Sequence, residues 1–222
     1  MEWSYGSVSG AGTPDPEQLR AWQRRMSAPD NEVPAAVPIS LLLGRTDDLA
    51  VALSGARVYS TGLSLDVAVR LRRSPSRVDG MGLHQAVLGF PGEQADGRLL
   101  LGVEYADGRT AANVGAGAWP PGSDNDEPVL VPGGGGGGGR RYDHALWLSP
   151  LPGPGPLALL CAWPERGLPE TRTVVDGDLL LVAARDVVVL WPDEPESDEP
   201  LARPGPDLPS TGWFGRAVRR EH

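Results

Sequence analysis

From residue 62 to 72, apolar and polar positions alternate without a break. Leu63, Leu65, Val67, Val69 and Leu71 share one parity; Ser64, Asp66, Ala68, Arg70 and Arg72 share the other. This is the period of a β-strand with one face in a core and the other in water, and the polar parity reads as a solvated sheet surface. Burying a side chain of this type gains about 1.5–3 kcal/mol. Ordering each residue's backbone costs about 1–2 kcal/mol, so the strand needs partner strands and a second apolar layer.

Similar patterns lie on both sides. The β region is expected to begin at Val37, with a strand at 39–43, a turn at Thr46-Asp47-Asp48, and alternation of Leu49, Val51 and Leu53 with Ala50, Ala52 and Ser54. Residues 83–90 fit one turn of helix or an irregular crossing. Residues 98–105 and 109–114 form the clearest hairpin, with Asp107-Gly108 as a type I′ turn signal. Residues 142–148 and 157–163 look like a second hairpin closed by the proline-rich 150–156. One register sets Leu148 against Leu157, His144 against Cys161 and Tyr142 against Trp163; a slip of one residue would break that pairing. Residues 170–175 add a further strand.

Two helices are expected at the flanks. Asp15 reads as an N-cap, with Pro16 at the first helical position and Gln18 completing a capping box. Leu19, Trp22 and Met26 then follow at helical spacing over 16–26. That narrow stripe suits docking on the parent domain or in a partner's groove. Asp178 is a candidate N-cap for a closing helix carrying Leu180, Ala183, Ala184, Val187 and Trp191, ended by Pro192. Two short strands around Arg185-Asp186 are the competing reading.

Composition limits the function classes. Of 222 residues, 30 are glycine and 23 proline; all 20 basic residues are arginine, and Ile39 is the sole isoleucine. Such usage suits a high-GC genome and lowers the functional weight of glycine or proline runs. The net charge of −9 argues against a nucleic-acid backbone as partner. Cys161 is the single cysteine, so neither an intrachain disulfide nor a cysteine-rich zinc site is available. With no basic, apolar leader and no apolar run of membrane-spanning length, a cytoplasmic location is expected.

The domain reading follows. Residues 1–36 form a polar arm with a short helix. Residues 37–191 form a β domain with a mobile glycine-rich insertion at 115–141. Residues 192–222 form a disordered acidic tail with a basic aromatic end. The fold class is mainly β: an antiparallel β-sandwich or incomplete barrel of roughly seven to nine strands with the two flanking helices.

Several phrases resemble an uncharacterised family of actinomycete proteins over about residues 37–192. They are Gly102-Val103-Glu104-Tyr105-Ala106-Asp107-Gly108-Arg109, Trp147-Leu148-Ser149-Pro150-Leu151-Pro152, the stretch 163–172 beginning Trp163-Pro164-Glu165-Arg166, and Leu190-Trp191-Pro192. The resemblance implies a single β domain over that span. It implies no reaction, ligand or site residue.

Each candidate motif meets a physical objection or a competing role. The run Gly133–Gly139 lacks the lysine and the Ser/Thr-led helix of a phosphate loop, and reads as linker. Asp124-Asn125-Asp126-Glu127 lacks the glycine and the distal acid of a calcium loop. His144 facing Cys161 would be a nucleophile–base pair, yet Cys161 lies among Leu159, Leu160 and Trp163 and no third group orients the imidazole. Trp163 and Trp191, each before proline, suit plugs at element ends; exposed, they could stack a sugar. Behind the acidic tail, Trp213, Phe214, Arg216, Arg219 and Arg220 combine an apolar anchor with charge, the form of a docking motif. The sequence thus points to a non-enzymatic interaction or scaffold protein with a protein partner, requiring no cofactor, metal, nucleic acid or membrane. A small-molecule or carbohydrate-binding β-sandwich is the alternative, and a hydrolase or thiol enzyme is a third reading.

Overall fold

A computed structural model describes residues 16–73, 83–88, 97–114 and 127–192. The chain divides into two units, residues 1–191 and 192–222, and the second lies outside the described residues except for Pro192. In chain order the elements begin with α1 (Pro16–Met26), β1 (Glu32–Val33), β2 (Ala35–Val37), β3 (Leu41–Arg45), β4 (Leu49–Val58) and β5 (Leu63–Leu71). They continue with α2 (Leu83–Leu88), β6 (Leu100–Glu104), β7 (Thr110–Ala112), β8 (Val129–Gly138) and β9 (Arg141–Ser149). Last come β10 (Pro156–Trp163), β11 (Leu168–Asp176), α3 (Gly177–Ala183) and β12 (Val188–Val189).

The strand with the strongest alternation, β5, lies inside a six-stranded antiparallel sheet of order β2-β4-β5-β9-β8, with β3 also paired to β4. Directly opposed residues share a face. Leu63, Leu65 and Val69 therefore lie beside Leu148, Leu146 and Tyr142 on the core side. An extra residue at Ser54 bulges β4, so its inward parity passes from Val51 and Leu53 to Ala56 and Val58. A second antiparallel sheet, β11-β10-β6-β7, supplies Leu101, Val103, Leu157, Leu159, Cys161 and Trp163 to the same core. The Thr171 hydroxyl lies 2.6 Å from the Leu43 carbonyl and 3.0 Å from the Cys161 carbonyl, linking β3 of the first sheet to the second. The sheets do not close into a barrel.

The mainly β class with a short N-terminal helix and a closing helix is what the structure shows, and several local expectations change. The β region begins at Glu32, before Val37, and the strand expected at 39–43 lies at Leu41–Arg45. Four strands of two or three residues bring the total among the described residues to twelve, above the seven to nine expected. The Asp107-Gly108 turn is not type I′, because only Gly108 has positive φ (86°). Gly108 N donates to Tyr105 O and Tyr105 N to Arg109 O, the pattern of a type I turn closed by a glycine bulge. The hairpin expected from 142–148 and 157–163 does not form. β9 pairs with β5 and β8, β10 pairs with β6 and β11, and the proline-rich connection carries the chain from one sheet to the other. Both strands have an apolar face, and either pairing buries it, so local pattern does not choose between them.

The outward face of β5 is less solvated than its composition suggests. Ser64 and Ala68 are buried, Asp66 is half-buried, and Arg70 is exposed. Arg57 reaches Asp66 at 2.7 Å and the Ser64 hydroxyl at 3.0 Å, and Arg70 reaches Asp143 at 2.7 Å. On the same outer face α1 packs on β8 and β9, where Trp147 Nε1 donates to the Arg25 carbonyl at 2.9 Å. The helix therefore docks on its own domain, one of the two roles its stripe allowed.

The glycine run departs most from expectation. Residues 115–126 lie outside the described residues, but 133–138 belong to β8, an edge strand laddered to β9, and are not a linker there. The glycines differ by parity. A Cβ on Gly135 would meet the His144 Cβ and the backbone of Asp143, and one on Gly137 would overlap the Arg141 carbonyl oxygen; Gly136 and Gly138 have open space. Gly135→Ala and Gly137→Ala should each destabilise the protein by about 1–3 kcal/mol through overpacking. Gly136→Ala and Gly138→Ala should stay within about 0.5 kcal/mol of wild type. Urea unfolding of the four variants checks this, and equal losses at both parities would contradict the register.

Candidate interaction surface

Val187, Val188 and Val189 are three consecutive β-branched residues, stiff at χ1 and suited to extended backbone. The closing helix therefore stops before them. Its N-cap is Asp176, whose carboxylate accepts from Asp178 N, so the expected cap moves back two residues. The helical segment runs through α3 and a 3-10 turn at Ala184–Asp186, and Val187 is already extended at φ −65°, ψ 130°. β12 then pairs with β1, setting Glu32 opposite Val189 and Val33 opposite Val188. Asn31 secures the ribbon's end: its carbonyl accepts from Leu190 N at 2.8 Å and its Nδ2 donates to the Trp191 carbonyl at 2.9 Å.

Successive residues of a strand point to opposite faces. Val188 and Val189 are 55% and 59% exposed, so the ribbon is bare on both faces. Val33, Leu190 and Trp191 are also large, apolar and exposed. A two-stranded ribbon is marginal by itself, and apolar residues exposed side by side mark an interaction surface more often than a solvated one.

The contacts expected in the tail, Trp213, Phe214, Arg216, Arg219 and Arg220, lie outside the described residues. Of the tryptophans read as plugs, Trp163 is fully buried, with Nε1 donating to the Gly97 carbonyl at 3.3 Å. Trp191 is 57% exposed and does not plug the core. Helical spacing from Leu180 to Trp191 hides the ribbon in the sequence, because it competes with the extended preference of the valine triplet. That triplet was the available signal.

The structure separates the proposed His144–Cys161 pair in register. His144 lies opposite Val67 and Gly135, and Cys161 lies opposite Leu101 and Thr171 in the other sheet. Burial pushes the Cys161 thiol up to about 12, away from the thiolate that nucleophilic chemistry needs. Burial also pushes the His144 imidazole down to about 4, against the upward pull of Asp143. His144 sits on the core face with Nδ1 lacking a hydrogen-bond partner, its ring tilted against Tyr142 at 5.8 Å between centroids. The Tyr142 hydroxyl is 2.7 Å from His84 Nδ1. His144 and Cys161 both behave as core residues.

Among the described residues, no group of three or more His, Cys, Asp or Glu side chains could hold a metal ion. No described helix is long and apolar enough to cross a membrane. Comparison with family models, curated proteins and solved structures returns no match.

Two outcomes follow from the buried pair. The folded-state value of His144 lies below its ordinary 6.5, so the unfolded chain binds the proton more readily. Its contribution to stability is intact above about pH 6.5 and falls as pH drops toward about 4, by about 3 kcal/mol in all. Denaturant unfolding across that range should show this loss, and His144→Leu should remove that component of the slope. Cys161 in the native protein should resist iodoacetamide at pH 8, at which unfolded protein reacts readily. Fast labelling of the folded chain would contradict its burial.

Proposed function

We propose that the protein is a non-enzymatic cytoplasmic interaction protein that binds a protein partner through an apolar groove on that partner. The observation that carries this reading is the β1–β12 ribbon, whose exposed residues from Val188 to Trp191 are bare on both faces. A preformed strand pair offers apolar side chains at little ordering cost, and aromatic anchors dominate binding energy at such contacts. Trp213, Phe214, Arg216, Arg219 and Arg220 form a second proposed contact in the same reading, giving two linked attachment points. A carbohydrate-binding reading keeps one observation: the exposed Trp191 ring, beside the polar Asn31, offers a stacking surface. Trp147 and Trp163 give it no support, since both are buried.

The test starts from affinity capture with the intact chain and continues with direct binding between purified proteins. Val189→Ser combined with Trp191→Ser should weaken binding by at least about tenfold, the loss of one hot spot, while circular dichroism stays unchanged. Removal of residues 211–222 should also weaken it. A partner bound equally well by all three chains would remove the basis of this reading.

A further inference from the structure

The register of the six-stranded sheet gathers arginines at one of its ends. Arg45 lies opposite Ala50, Ala50 opposite Arg70, and Arg70 opposite Arg141, so three guanidinium groups occupy one cross-strand row. Opposed residues share a face, and like charges placed so are destabilising. Arg72 and Arg73 follow at the end of β5, and Arg140 in the β8–β9 turn lies 3.5 Å from the Arg72 carbonyl through Nη1. Among the described residues, the acids at this end are Asp47, Asp48 and Asp143. Asp143 holds Arg70 at 2.7 Å and Asp48 reaches Arg73 at 3.6 Å. Among the described residues, six arginines against three aspartates leave a local positive surplus in a chain whose net charge is −9.

This end carries a shallow depression that is largely open to solvent. A cleft of about 620 Å³ opens between the β3–β4 turn and the end of β5, lined by Arg45, Thr46, Asp47, Asp48, Arg70 and Arg72 with the sheet backbone as floor. Thr46 makes its rim rigid: its hydroxyl accepts from Asp48 N at 3.3 Å and Leu49 N at 3.2 Å. Among the described residues, neither Arg45 nor Arg72 has a carboxylate partner, and both are exposed. Their forked donors suit oxyanions in bidentate geometry.

We propose that this cleft binds a small, multiply charged phosphate ester or polyphosphate, with Arg45 and Arg72 as the principal ligands and Arg70 as a third. Phosphate fits better than a single carboxylate because guanidinium charges from separate strands border one open cleft, and a multiply charged group offsets more of their mutual repulsion. Asp47 and Asp48 also line the cleft, and their charge offsets part of this attraction.

The experiment uses the full chain and inorganic tripolyphosphate as probe, read by isothermal titration calorimetry at low salt. Binding should weaken as salt rises and fall by at least about tenfold in Arg45→Gln with Arg72→Gln, the loss of charge-assisted hydrogen bonds. Arg185→Gln, an exposed arginine on the 3-10 turn after α3, should bind as wild type does. If the double variant folds poorly, nitrogen NMR of wild-type arginine side chains replaces it: tripolyphosphate should shift the Nε signals of Arg45 and Arg72 and leave Arg185 in place. Absent binding, or equal binding by all variants, overturns the proposal. So does an arginine-dependent response to an oligoglutamate peptide with tripolyphosphate inert, which would assign the cleft to an acidic protein segment.

Discussion

The pairing of β5 between β4 and β9 is the constraint on which the first sheet depends. Nine residues of β5 have partners on the β4 side and eight on the β9 side, all antiparallel. One slipped residue on either side would turn a leucine–valine face outward and a row of arginine and aspartate inward. The same register sets Arg45, Arg70 and Arg141 in line, places His144 on the core face, and presents Asp66 and Asp143 to Arg57 and Arg70. Surface charge and core composition are two consequences of one alignment.

The second sheet covers the apolar face that β5 creates. Its long strand β10 contributes Leu157, Leu159, Cys161 and Trp163, and the Thr171 hydroxyl ties it to β3 where the sheets meet. The burial that makes Cys161 unreactive is the same packing that stabilises the sandwich. His144 is a costly member of that core, since a buried imidazole nitrogen without a partner loses water and gains nothing in return. Protonation is opposed for the same reason.

Away from the core, two surfaces differ in chemistry. One is the β1–β12 ribbon, with Val33 and Val188 exposed on one face and Val189 beside Glu32 on the other. The other is the arginine-lined end of the large sheet. They arise from different causes: the ribbon from three β-branched valines that stop a helix, the basic end from strand alignment that brings distant arginines together. The ribbon lies apart from the strongest feature of the sequence, the alternation in β5, whereas the basic end draws Arg70 and Arg72 from the polar parity of that strand.

Local periodicity determined the strands around 49–58, 63–71 and 168–176, the inward face of 63–71, the helix at Pro16–Met26 and the overall mainly β class. Those features follow from side-chain direction over a few residues, which the chain carries within itself. Tertiary structure decided the rest. It placed β9 and β10 in different sheets, although both show the apolar face of a hairpin pair. It drew six glycines into an edge strand, where the absence of side chains hid both the extended backbone and the close approach to Arg141 and Asp143. It also left Val188 to Trp191 exposed and brought Arg45 beside Arg70. Backbone hydrogen bonds make these choices across long chain separations, and a backbone group carries the same donor and acceptor whatever residue bears it.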